Sequence, residues 1–134
     1  MAAALSASRI PVILTPHPVP ESFEKRAVLP GPPLTPSAAS ALHSAGVFLA
    51  LGSPGDPELF SLPLEASWAA RHAGLSSRAA LALVSENLEK ILQLPKNRDV
   101  VVWEGNPLEF GASVVLVLDG EGGVKGLGCW PESQ

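Results

Sequence analysis

Two short runs of uninterrupted apolar residues, Ile10 to Leu14 (IPVIL) and Val47 to Leu51 (VFLAL), set the frame for this chain. A strand with one wet face alternates apolar and polar side chains, whereas a strand covered on both faces, as in a parallel sheet, reads as a continuous apolar run. Pro11 weakens the first run, because proline has no N–H to give to a ladder. Between the runs, Thr35 and Pro36 read as an N-cap followed by proline at the first helical position. The helix they open is expected to run from Pro36 to about Ala45, with Ala38, Leu42 and Ala45 on one face and Gly46 as its stop. Strand, helix and strand with a short return make a βαβ unit with a parallel pair.

The stretch from Thr15 to Leu34 is crowded with prolines and has the composition of a long surface loop. After the second run comes a turn cluster, GSPGDP at 52–57, at the end of the strand where α/β folds place their active-site loops. Leu64, Trp68 and His72 then recur at four-residue spacing, one face of a helix ending near Gly74. Ser76 caps a further helix whose apolar stripe is Leu81, Val84, Leu88 and Ile91, with a bend expected near Ser85. Beyond Pro95 the pattern changes to β-branched runs, Val100 to Trp103, Val114 to Leu118 and Val124 to Leu127, separated by GNPLEFGA and DGEGG turns. These are expected to be antiparallel strands.

Composition narrows the classes. At 134 residues the chain fits one domain and falls short of the roughly 250 residues of a complete eightfold β/α barrel. Nine Lys and Arg against thirteen Asp and Glu, net −4, supply no basic surface for a phosphate backbone, so no nucleic-acid partner is expected. No apolar run approaches the ~20 residues needed to cross a bilayer, so no membrane span is expected. The segment Met1 to Ser8 lacks a basic residue ahead of its apolar part and reads as a helix remnant or linker, not a secretory leader. The lone Cys129 cannot close an internal disulfide, which fits a reducing compartment and makes the cytoplasm the expected location.

Several phrases, in order, resemble the tail of the metal-dependent amidohydrolase superfamily: AGV at 45–47 running into ALG at 50–52, SSRAALAL at 76–83, NLEKILQL at 87–94 and DVVVWEGNPL at 99–108. A closer likeness is to fungal-type amidohydrolase-related proteins, through PVI at 11–13, GPPLT at 31–35, NLEK at 87–90 and EGNPLEF at 104–110. The resemblance implies an α/β fold: the end of a partial TIM barrel, β-α-β-α-α, over residues 1–95, then antiparallel strands of the accompanying β-sandwich over 96–134. It also implies a family chemistry in which one or two divalent metal ions, such as zinc, activate water against an amide or imide C–N bond.

Such a site needs about three protein ligands and an open position for the water. The family's histidine pair, its lysine and its further histidines would fall upstream of Met1. Where relatives read ALGTD, this chain reads ALGSP at 50–54, so Pro54 stands at the position of the remaining aspartate ligand. Asp56 follows two residues later, but a carboxylate in such a turn is ordinarily a solvated turn-former. His17 would face a barrel mouth, yet no second ligand lies at helix or strand spacing from it. His43 and His72 read as packing residues. Ser53, Ser85 and Cys129 lack a nucleophile elbow and a positioned base. DGEGG at 119–123 lacks the helix and lysine of a phosphate cradle and reads as a hairpin turn, and the three tryptophans read as core or seam.

No catalytic, cofactor-binding or metal residue is therefore assigned. The expectation is a C-terminal portion of an amidohydrolase-related protein, inactive alone and without a cofactor of its own. The alternative is a noncatalytic module that binds itself or a fuller homologue. Two strands taken from a barrel leave open edges, so self-association through that edge is expected.

Overall fold

The computed structural model describes residues 1–15, 36–53, 55, 61–121 and 123–125. The elements, in order, are α1 (Ala2–Ala7), β1 (Val12–Leu14), α2 (Ala38–Ser44), β2 (Leu49–Leu51), α3 (Leu62–Ala73), α4 (Ser77–Leu83), α5 (Glu86–Leu92), β3 (Val100–Glu104), β4 (Ser113–Leu118) and β5 (Val124–Lys125). The architecture is mixed α/β, with the two strand classes expected from the apolar patterning.

The two apolar runs do pair in parallel, with Val12 opposite Leu49, Ile13 opposite Ala50 and Leu14 opposite Leu51. Each strand is shorter than its run, and the backbone shows why. The Ile10 N–H turns back to the Leu5 carbonyl of α1 (2.9 Å), and Pro11 has no N–H, so β1 begins at Val12. At the other strand, the Gly46 and Val47 N–H groups go to the His43 and Leu42 carbonyls (2.9 and 3.0 Å). That pair of bonds is a Schellman closure of α2, and it requires the left-handed backbone that Gly46 adopts at φ +75°. Val47 therefore belongs to the helix cap.

The N-terminus of α2 departs from expectation. Ser37 is the cap, its Oγ accepting the Ser40 N–H at 3.1 Å, so Pro36 precedes the cap instead of following it. Thr35 lies outside the described residues. The inward face rotates accordingly: Ala39 is buried and Leu42 packs on the core, while Ala38 is exposed.

In α3 the face also differs. Ala66 and Ala70, one turn apart, are buried, whereas Trp68 and His72 are exposed. Together with Ala39 of α2 and Ala80 of α4 they let three helices approach closely over the β1/β2 sheet. A tryptophan at that seam would hold the helices apart, so it goes outward. The bend near Ser85 is present as a break: Val84 and Ser85 make i→i−3 bonds to Leu81 and Ala82, and the Ser85 Oγ donates to the Leu81 carbonyl at 2.7 Å. Ser76 caps α4 as expected, accepting the Ala79 N–H.

The last three strands form an antiparallel sheet in the order β3-β4-β5. Leu108, from the turn joining β3 to β4, inserts into the helix-side core. Asn106 sets that turn, its Oδ1 accepting the Leu108 N–H at 3.1 Å while its side-chain N–H₂ donates to Glu109. The Asn-Pro-Leu phrase thus links the antiparallel sheet to the helices through one leucine.

Candidate functional site

In a parallel pair the place for chemistry is the C-terminal end of the strands, which here is Thr15 beyond β1 and Gly52 and Ser53 beyond β2. The Gly52 N–H closes the ladder onto the Leu14 carbonyl at 2.8 Å. A Cβ at Gly52 would come within 3.1 Å of the Ile13 side chain, so the absence of a side chain lets the loop fold tightly across the strand end. Ser53 is spent locally: its Oγ donates to the Gly55 carbonyl and accepts the Gly55 N–H at 3.2 Å. A hydroxyl that both donates to and accepts from the same residue of its own turn acts as a turn-former.

His17, Pro54, Asp56 and Cys129 lie outside the described residues. His43 and His72, expected to pack, are both exposed, because each sits on the helix face turned away from the alanine seam. Ser85 is spent on the helix break. In the DGEGG turn, the Asp119 Oδ1 accepts the Glu121 and Gly123 N–H groups at 3.0 and 2.6 Å. Those two donors are therefore already taken, as in a hairpin turn between β4 and β5.

A hydrolytic metal requires about three nitrogen, sulfur or carboxylate ligands on one centre. Among the described residues no three His, Cys, Asp or Glu come together in that way, and the strand ends offer only Thr15 and Ser53. The residues described at the strand ends do not fit such an ion.

Two shallow grooves escaped the sequence reading. One, of about 230 Å³, runs along the far side of β2 and includes Phe48, Leu49, Leu75 and Asn87. The Asn87 Nδ2 donates to the Leu49 carbonyl at 2.7 Å, across 38 residues of chain. The other, of about 270 Å³, lies between the start of α3 and the β3–β4 turn, with Leu64, Trp103, Pro107 and Phe110. Phe110 is 94% exposed. A side-chain amide reaching a distant backbone carbonyl has no local sequence signal.

Near the second groove, in the first turn of α3, burial raises the Glu65 carboxyl above its ordinary value of 4.5. A group that holds its proton more tightly when folded adds stability below its ordinary pKa and loses it as pH climbs through the folded value. Glu65→Gln should therefore gain stability relative to the parent as pH rises from about 4 to about 7, read by urea melts at both ends. A difference that does not change with pH would show that the ionised carboxylate carries no cost.

No family model matches the chain, and no curated protein matches it. A solved structure does: the crystal structure of amidohydrolase from Thermotoga maritima MSB8 overlays on 89% of this chain with a TM-score of 0.67 and 27% identity. The fold is amidohydrolase-like. The chain spans 32% of the length of that protein. The fungal-type likeness gains no support from this match. None of the described helices is long and apolar enough to cross a membrane.

Proposed function

We propose that this chain is a closing portion of an amidohydrolase-type protein, whose whole would hydrolyse C–N bonds other than peptide bonds, and that the chain alone has no such activity. The observation that carries the reading is the overlay of nearly all of this chain on about a third of an amidohydrolase. In this reading residues 1–95 are terminal β/α units of a TIM-type barrel and 96–134 are strands of the accompanying β-sandwich. The parallel β1/β2 pair, covered on one side by α2, α3 and α4, supports the first assignment, and the antiparallel β3-β4-β5 sheet supports the second. The family's divalent metal would be held by residues outside this chain, and the setting would be the cytoplasm, without nucleic acid or membrane as partner.

The test is direct. The purified chain is loaded with zinc, dialysed, assayed for bound metal by elemental analysis, and offered cyclic imides and N-acyl amines. Expected are sub-stoichiometric metal and no turnover above buffer. Stoichiometric zinc with hydrolysis would overturn the reading.

A second reading is favoured by the exposed apolar strands: a noncatalytic module that binds itself or a fuller homologue. Ile13 in β1 and Val100, Val101 and Val102 in β3 are all exposed, and the described residues place no strand against the outer edge of β1 or of β3.

A further inference from the structure

We propose that two copies of this chain pair through the open edge of β3, antiparallel and centred on Val101. The inference rests on the interaction-module reading and deepens it by naming the surface and the occupant. The backbone phase comes first. The Asp119 N–H donates to the Gly123 carbonyl at 2.9 Å, which makes that pair hydrogen-bonded, so two residues back Val117 also turns its N–H and C=O to β5. Leu116 and Leu118 then turn theirs to β3, where they face Val102 and Val100. By alternation, Val101 presents its N–H and C=O on the open edge.

The side chains fit the same register. With Val101 opposite Val101 of the second copy, Val100 falls opposite Val102, and, where pairing extends β3 by the two residues before it, Arg98 falls opposite Glu104, twice over by symmetry. Opposite charges thus close both ends of an apolar centre whose three valines are 54%, 45% and 38% exposed. Arg98 and Glu104 are themselves exposed and make no ion pair among the described residues.

The other edges are less open. Natural sheets guard an edge with proline, lysine, a bulge or brevity. β1 is three residues long and directly follows Pro11, β5 has only two residues, one of them Lys125, and β2 has a carbonyl already bonded by Asn87. β3 contains neither proline nor lysine, and the sheet's irregularity, between Val102 and Trp103, puts the extra residue, Val115, in β4. The strand that would pair stays regular.

Sedimentation equilibrium over a concentration series tests the proposal with the full chain. Expected is a mass that rises towards twice the monomer and falls back with added salt. Val101→Pro removes an N–H that β4 does not use, so a variant with parent-like circular dichroism should stay monomeric. Glu104→Arg sets like charges opposite each other and should weaken association about tenfold, and the double exchange Arg98→Glu with Glu104→Arg should restore it. This charge series decides the matter even where Val101→Pro does not fold. A chain monomeric at every concentration overturns the proposal and, with it, the self-binding form of the module reading. An oligomer indifferent to all β3 changes overturns only the proposal. A monomer whose Val101 amide is protected from hydrogen exchange would show that the edge is filled from within the chain, and that too overturns it.

Discussion

Leu51→Ala should lower the unfolding free energy by about 2–5 kcal/mol, a large share of the ~5–15 kcal/mol that a domain of this kind has in total. Leu51 is 2% exposed and is the largest side chain to be fully buried among the described residues. It pairs with Leu14 in the parallel sheet and belongs to the cluster that gathers Ala39, Ala66, Ala70 and Ala80. The same cluster holds Leu49, Leu83 and Leu108, whose side chains can relax into part of the space, so the middle of that range is expected. Leu14→Ala is the internal control: its side chain lies on the same face but is only half-buried, so its loss should be smaller. Urea melts of both variants check the order. Equal costs, or a Leu51→Ala cost under about 1 kcal/mol, would mean that the core does not centre on β2.

That core was only partly legible in the sequence. The uninterrupted runs announced the parallel pair, because an all-apolar strand needs both faces covered, and β2 is indeed buried at all three residues. β1 is not, since Ile13 remains exposed. The cap at Ser76, the stop at Gly46, the break near Ser85 and the Asp119 hairpin turn were also legible, because each rests on bonds within a few residues. The helix faces were not. Reading large side chains as the buried ones placed Leu64, Trp68 and His72 inward, yet close packing of three helices selected Ala66 and Ala70 instead. Alanine carries little transfer free energy, so periodicity analysis underweights it wherever backbone approach decides the contact.

The candidate site shows the same division. The positions that the resemblance singled out, His17, Pro54 and Asp56, lie outside the described residues. What is described at the strand ends is a glycine-tight turn with its serine engaged, which is scaffold without reacting groups. The NPL phrase that carried part of the likeness does have a physical role: its asparagine forms the turn and its leucine joins the core. The likeness carried by this phrase therefore has a basis in turn geometry and packing.

Asn87→Asp is expected to cost about 1–3 kcal/mol, and to change how the chain associates. Because the Val12 N–H bonds the Phe48 carbonyl, the next carbonyl along β2, that of Leu49, points away from β1 towards the free edge. Asn87 meets it there with its side-chain N–H₂. Aspartate keeps the shape but replaces the donor with a second acceptor, so two oxygens face each other and the carbonyl loses its partner. Asn87→Leu also removes the donor, but without adding a charge, so it should destabilise less. Either variant opens the edge of β2, and any new association should then persist when β3 is blocked by Glu104→Arg. Urea melts give the stability, and sedimentation of the double variants gives the edge in use. If Asn87→Asp unfolds no more readily than the parent, the amide does not close the edge, and β2 would have to be as open to a partner strand as β3.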